Sequence, residues 1–193
     1  MEIDELKQKV EQALAERPRR VVENADLVPA AVLLAITAPG SDILFIKRTE
    51  RVAHHKGQIS FPGGIVETWD GSRLETALRE AREEIGLLPE AVEILGTLDD
   101  TETSATPFII TPFVGLVRAP VTYTPDGREA EKVLELPLAA FLDPANFRVE
   151  HWERGGRLRP VYFYDVEGEV VWGATARILK QFLDLCFPGW ERS

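Results

Sequence analysis

Residues 63–87 decide the fold and read GGIVETWDGSRLETALREAREEIGL. Ser72 and Glu75 form a capping-box pair, so the sequence predicts a helix that begins at about Arg73. Gly86 suits the C-terminal end of that helix. Apolar residues three and four apart form one stripe along it, and they are Leu74, Ala77, Leu78, Ala81 and Ile85. The stretch therefore predicts an amphipathic helix over 73–85 whose stripe packs on a core.

The other side of this helix is acidic. Glu80, Glu83 and Glu84 share an arc about 100° wide, roughly opposite the apolar stripe. Carboxylates at these spacings repel one another by a few tenths of a kcal/mol per pair. Arg79 offsets part of the repulsion, and a divalent cation offsets more because carboxylate oxygens are its preferred ligands. An isolated acidic face is usually just solvated, but the paired glycines at 63–64 also allow a backbone group to approach a ligand closely.

Gly64 and residues 79–87 resemble the Nudix box. Its pattern is Gly, five residues, Glu, seven residues, then Arg-Glu-hydrophobic-x-Glu-Glu-x-Gly-hydrophobic. Here Asp70 stands in place of the first Glu, and eight residues separate it from Arg79. The resemblance implies an α/β Nudix fold, an α/β/α sandwich around a central mixed β-sheet. It also implies a pyrophosphohydrolase that uses Mg²⁺ or Mn²⁺, held by Glu80, Glu83, Glu84 and the backbone carbonyl of Gly64.

Further segments resemble the coenzyme A pyrophosphatase branch of that superfamily. They are Lys47-Arg48-Thr49, the run HKGQISFPGG at 55–64, and stretches at 103–104, 111–115 and 171–179, so that the resemblance covers roughly residues 28–183. That branch carries an Arg two residues before its His, whereas this chain has Ala53 there and Arg51 two positions earlier. The resemblance implies cleavage of coenzyme A to 4′-phosphopantetheine and adenosine 3′,5′-bisphosphate.

The catalytic candidates are Glu80, Glu83, Glu84, Arg79 and Glu129. Glu129 matches a Glu in the loop before Pro137-Leu138 of that branch, as a metal ligand or general base, although an ordinary surface Glu explains it equally well. Arg79 is expected to orient a carboxylate through a bidentate pair.

The substrate-binding candidates are Arg48, Arg51, His55, Gly63 and Gly64. For each arginine, a solvated charge near the end of a strand is at least as good an explanation. Phe61 and Tyr123 are candidate partners for an adenine ring, whereas Trp172 is assigned to the core.

Two alternatives to coenzyme A hydrolysis stay open. One is a pyrophosphatase of ADP-ribose or nucleotide sugars, for which Ala53 leaves room. The other is a non-catalytic Nudix protein that senses a nucleotide. The presence of all three glutamates of the acidic face argues against the second alternative.

Composition bounds the class of protein. With 193 residues, 45% hydrophobic and 28% charged, the chain is expected to form a single soluble Nudix domain over 1–193. The net charge of −10 argues against nucleic-acid binding. Cys186 is the only cysteine, which excludes an intrachain disulfide and fits the cytoplasm. The expected partner is a small-molecule substrate, with no membrane segment, and a homodimer is one of the options left open.

The remaining elements follow from periodicity and turn residues. A helix is predicted at about 2–16, and strands at 30–37, 43–48, 92–98, 109–118, 148–152 and 161–166. A polar loop is expected at 99–106, a short helical or irregular piece within 135–142, and a last helix at 173–187. We expect the Nudix box at 64–87 to lie between the second and third strands.

Overall fold

The computed structural model describes residues 1–49, 57–103, 106–118 and 120–192. Its helices are α1 (Ile3–Ala15), α2 (Arg73–Ile85), α3 (Leu138–Phe141) and α4 (Gly173–Cys186). Its first strands are β1 (Val28–Thr37), β2 (Asp42–Arg48), β3 (Ile59–Ser60), β4 (Gly63–Ile65), β5 (Val92–Thr97) and β6 (Thr101–Glu102). The later strands are β7 (Phe108–Val117), β8 (Ala130–Pro137), β9 (Phe147–Arg154), β10 (Arg157–Val166) and β11 (Glu169–Trp172).

The central sheet is mixed. Its main path runs β3-β2-β1-β7-β5, with β4 paired to β1, β6 to β7 and β8 to β2. The β1–β7 pair is parallel, whereas the other pairs of this sheet are antiparallel. This architecture confirms the predicted fold class.

Helices cover both faces of that sheet, because the side chains of its strands alternate between two apolar clusters. Ala31, Leu33 and Ala35 of β1 face α2. Leu34 and Ile36 belong to the larger cluster that includes α1 and α4. This layering places the acidic helix α2 over β1, the first strand of the central sheet.

The short helical piece predicted within 135–142 is present as α3 (Leu138–Phe141). The strand before it, β8 from Ala130 to Pro137, was missed. β8 pairs along the whole of β2, and its charged residues at 131, 132 and 135 conceal the alternation of buried Ala130, Leu134 and Leu136. Pairing with a distant strand, which a local pattern does not reveal, decides this element.

A second sheet of three strands, β9–β10–β11, was not anticipated as a separate unit. The strands predicted at 148–152 and 161–166 are present but longer, and β11 was missed. β11 follows β10 through a tight turn in which Glu167 and Gly168 have φ of 53° and 80°. The loop expected at 99–106 also contains the short strand β6, which pairs with β7.

The capping prediction for α2 is confirmed. The backbone N–H of Glu75 donates to Ser72 Oγ at 3.2 Å, and Gly86 ends the helix with φ of 72°. Ala77, Ala81 and Ile85 of the stripe are fully buried, and Leu74 and Leu78 pack at the margin of the same cluster. Within the described residues, no helix is long and apolar enough to cross a membrane.

Candidate active site

Arg79 organises the start of the acidic face. Its Nε and Nη2 donate to the two oxygens of Asp70 at 2.9 and 3.0 Å, a bidentate pair. Thr76 Oγ1 and the N–H of Glu67 also donate to Asp70. The hydrogen bonds from Arg79 hold the pKa of the Asp70 carboxyl well below its usual range. Asp70, which is shorter than the Glu at the first acidic position of the Nudix-box pattern, therefore anchors the loop before α2 to that helix.

Glu84, although it belongs to the acidic arc of α2, lies in the interior. Its side chain is only 3% exposed, because that flank of α2 packs against β4. The N–H of Gly63 donates to its Oε2 at 3.0 Å, and Arg48 Nη1 lies 3.8 Å from its Oε1. Burial raises the pKa of Glu84 to about 8. Such desolvation of an acid beside charged groups is typical of functional sites.

Gly64 provides the close approach that the sequence suggested. A Cβ on this residue would lie 2.4 Å from Oε1 of Glu80. Only glycine therefore leaves room for the Glu80 carboxylate against the backbone of β4. Burial also raises the pKa of Glu80, so two desolvated carboxylates share this edge of β4.

Glu83 is oriented differently. Its carboxylate is 60% exposed and lies 3.2 Å from Arg79 Nη1, the same atom that lies 2.9 Å from Glu80. In the described ranges, no three Asp, Glu, His or Cys side chains converge into a ready-made metal cluster. Arg79 therefore bridges the carboxylates of Glu80 and Glu83.

The donor set nevertheless fits a hard divalent cation. Oε1 of Glu84 is buried and has no hydrogen-bond partner among the described residues. An unpartnered buried carboxylate oxygen is costly unless a cation or proton satisfies it. Carboxylate and backbone carbonyl oxygens are the ligands that Mg²⁺ and similar ions take.

Glu129 reaches the same site from the loop before β8. Its Oε2 accepts a hydrogen bond from Arg48 Nη2 at 3.0 Å, and the side chain is 55% exposed. Its charge contributes to the raised pKa of both Glu80 and Glu84. The structure therefore brings together Arg48, Glu80, Glu84 and Glu129, which are far apart in sequence.

Other predicted residues have different outcomes. Arg51, Ala53, His54 and His55 lie outside the described residues. Phe61 is wrong as an adenine partner, because it is 2% exposed and stacks on Phe45 in the core. Tyr123 is half-buried, and burial raises its pKa to about 12. Trp172 is also half-buried and stacks on Phe163.

Sequence reasoning missed Thr49 and Asp126, which hold the loop of Glu129. Thr49 donates its N–H to the carbonyl of Glu129 and its Oγ1 to that of Arg128. Asp126 accepts three consecutive backbone N–H groups at 128–130. The available signal was Pro125-Asp126-Gly127, a strong turn sequence.

Comparisons with known proteins identify the family of the chain. The model of the NUDIX domain matches residues 27–160. An uncharacterized Nudix hydrolase NudL from Photorhabdus laumondii subsp. laumondii is 34% identical over 165 residues, covering 85% of this chain and 87% of the relative. The NudL of Salmonella paratyphi B is 35% identical over 166 residues, covering 86% of each.

The fold also matches a solved structure. A MutT/nudix family protein from Enterococcus faecalis superposes with a TM-score of 0.53 at 13% identity, covering 95% of this chain and 74% of that protein. This likeness supports the architecture alone. The match to the family model and the identity to the NudL relatives support the assignment of the chain to a family. The chain therefore belongs to the Nudix family of hydrolases and is a pyrophosphohydrolase.

Proposed function

We propose that this protein cleaves the pyrophosphate of coenzyme A or a close derivative, at the site formed by α2, β4 and the loop before β8. The observation that carries the site is the buried Oε1 of Glu84, which accepts no hydrogen bond from the described residues, beside the close contact of Glu80 with Gly64. Support for the substrate comes from the sequence runs at 47–49 and 55–64.

In this proposal, Glu80, Glu83, Glu84 and the carbonyl of Gly64 hold Mg²⁺ or Mn²⁺. Such ions neutralise the charge of a pyrophosphate and lower the pKa of a bound water. Gly63 donates its N–H to Glu84 and so fixes one carboxylate oxygen. Arg79 holds Glu80 and Glu83 at the helix surface.

Glu129 is proposed as a further ligand or as the general base that takes a proton from water. A base of this kind contributes about 10²–10⁴-fold to a rate. Arg48 pairs with Glu129 and lies near Glu84, so it sets the charge balance between them and is a candidate to contact a phosphate. His55 and Arg51 are proposed to bind the substrate.

The test is a substrate panel with product identification. The full-length protein is incubated with coenzyme A, dephospho-coenzyme A, ADP-ribose and a nucleotide sugar, each with Mg²⁺ or Mn²⁺. We expect 4′-phosphopantetheine and adenosine 3′,5′-bisphosphate from coenzyme A by mass spectrometry. Exhaustive chelation should abolish the reaction, and alkaline pH should favour it because the nucleophile is a deprotonated water.

Arg51→Ala refines the same test. If Arg51 meets the 3′-phosphate, its loss removes a charged hydrogen bond of roughly 1.5–3 kcal/mol, or about ten- to a hundredfold. The specificity constant should then fall more for coenzyme A than for dephospho-coenzyme A. A tenfold preference of the wild type for ADP-ribose would instead establish the alternative substrate.

A further inference from the structure

The segment 120–130, which leads into β8, docks on the C-terminal end of α2. The N–H of Thr124 donates to the carbonyl of Ile85, and the N–H of Asp126 donates to the carbonyl of Glu84, each at 2.9 Å. The last carbonyls of a helix have no partner within it. These two bonds therefore satisfy them and attach the backbone of the loop directly to the backbone of Glu84.

The side chain of Asp126 binds the backbone that follows it in the loop. Its Oδ1 accepts the N–H groups of Arg128, Glu129 and Ala130 at 3.0, 3.0 and 2.9 Å. Gly127, with φ of 68°, makes the turn that this geometry requires. One carboxylate thus holds the backbone of Glu129 and of the two residues beside it.

Glu129 is attached to the sheet on its other side as well. Its carbonyl accepts the N–H of Thr49 at 2.9 Å, and its carboxylate accepts from Arg48 at 3.0 Å. Its side chain is 55% exposed, so packing alone does not determine where it points. Its position over the site therefore depends on the hydrogen bonds that hold its backbone.

We propose that Asp126 is a positioning residue, which holds Glu129 at a set distance from Glu84 by binding the backbones of both. This inference rests on the proposed role of Glu129 in the reaction. Asp126 touches neither substrate nor metal in this proposal. Its N–H binds the backbone carbonyl of Glu84, and its carboxylate binds the backbone N–H of Glu129.

The expected loss of kcat in each variant of Asp126 depends on whether the variant keeps an acceptor for the N–H groups of residues 128–130. Asp126→Ala removes the acceptor for three N–H groups and should lower kcat by about 10- to 100-fold, the usual cost of losing an outer-shell partner. Asp126→Asn keeps an oxygen of the same reach and should retain activity within about threefold, since the bonds are to the backbone and not to a charge. Rescue by the amide separates positioning from a charge effect.

The experiment is a double-mutant cycle of Asp126→Ala with Glu129→Gln, with Mn²⁺ affinity measured by electron paramagnetic resonance without substrate. If Asp126 acts through Glu129, Asp126→Ala should cause no further loss of kcat in the Glu129→Gln background. Mn²⁺ affinity should change in the same non-additive way if Glu129 is a ligand, and in neither variant if it is a base. Urea unfolding of each protein reports on the fold.

Asp143→Ala is the matched control. Asp143 accepts the N–H of Ala145 at 2.9 Å in the turn before β9, outside the site, so its loss should leave kcat unchanged. Asp126→Ser, which keeps only a short acceptor, replaces Asp126→Ala if the alanine variant does not fold.

The results of the experiment distinguish the positioning role of Asp126 from the role of Glu129 in the reaction. An impaired Glu129→Gln protein with a normal Asp126→Ala protein overturns the positioning role and leaves the role of Glu129 standing. Effects that multiply in the double variant also overturn it, because Asp126 then acts by another route. Wild-type kcat in Glu129→Gln overturns both the role of Glu129 and the inference that rests on it.

Discussion

At the scale of residues, Glu84 shows how burial prepares a carboxylate for a cation. The side chain is almost inaccessible, its pKa is raised to about 8, and one of its oxygens has no hydrogen-bond partner among the described residues. A charge in such a place destabilises the protein unless it is paired, and Arg48 Nη1, at 3.8 Å from Oε1, lies beyond hydrogen-bond distance. We therefore propose that the position serves metal binding rather than stability.

Glu84→Gln keeps the shape of this side chain and removes its charge. We expect turnover to fall by at least about a hundredfold, as for loss of a metal ligand. Above pH 8, where this carboxyl is ionised, the metal-free protein should unfold at the same or a higher urea concentration, because a buried charge has gone. Glu90→Gln, at an exposed position after α2, is the control, and near-normal turnover in a folded Glu84→Gln protein would refute the assignment.

Asp70, in contrast to Glu84, is a carboxylate that stabilises the folded protein when it is ionised. Its four hydrogen bonds and its lowered pKa mean that the folded state favours the ionised form. The folded-state pKa lies below the unfolded value of about 3.9, so the unfolded chain binds more protons in between. The stabilisation is complete above that unfolded pKa and is lost as the pH falls below it.

Asp70→Asn should therefore lower the free energy of unfolding by about 1.5–3 kcal/mol at pH 7. The difference from wild type should shrink as the pH falls from 4 towards 3. Urea unfolding of both proteins at pH 7, 5, 4 and 3 measures it. A difference that stays constant down to pH 3 would show that ionised Asp70 is not its source.

At the scale of elements, β4 carries two adjacent glycines that the structure requires for different reasons. A Cβ on Gly63 would lie 2.3 Å from the carbonyl oxygen of Ala31, which is backbone of the neighbouring strand β1. A Cβ on Gly64 would instead meet the carboxylate of Glu80. Backbone cannot move aside cheaply, whereas the end of a glutamate side chain can.

Gly63→Ala should consequently cost about 1–3 kcal/mol of unfolding free energy, the usual cost of overpacking. Gly64→Ala should change stability little but displace Glu80, lowering turnover and Mn²⁺ affinity by about 10-fold or more. Denaturant unfolding and Mn²⁺ titration of both variants give the comparison. Equal losses of stability would contradict this division of roles.

At the scale of the whole molecule, Asp100 joins three parts of the chain. Its buried carboxylate pairs with Arg19 from the segment after α1 and with Arg73 at the start of α2. It also accepts from Thr111 Oγ1 of β7 at 2.6 Å and from the N–H of Val22 at 3.0 Å. Asp100 thereby attaches the N-terminal segment to the sheet and to α2, beside further bonds of that segment to Leu98 and Asp99.

Asp100→Ala leaves two arginines without their shared partner and should cost about 3–5 kcal/mol. Asp99→Ala removes the partner of Arg17, a carboxylate that is more exposed than that of Asp100, and should cost less. Trypsin under native conditions should then cleave after Arg19 or Arg20 faster in the Asp100 variant than in the Asp99 variant. Equal cleavage rates would argue against a dominant role of Asp100 in holding this segment.

Prediction from sequence succeeded where a short stretch holds all the information. The start and end of α2 follow from Ser72, Glu75 and Gly86, because capping is a contact between neighbours. The strands at 30–37 and 43–48 follow from continuous apolar runs around a turn, and the Nudix assignment follows from the spacing of the box. Each depends on residues close together in the chain.

The chain alone therefore determined the helix, its acidic residues, the paired glycines and the family. Only the tertiary structure decided that Glu84 is buried and that residues 130–137 form a strand beside β2. It also decided that Arg48 and Glu129 meet at that helix. The reason is physical: burial, pKa and strand pairing depend on groups from distant segments, which a local pattern cannot place in space.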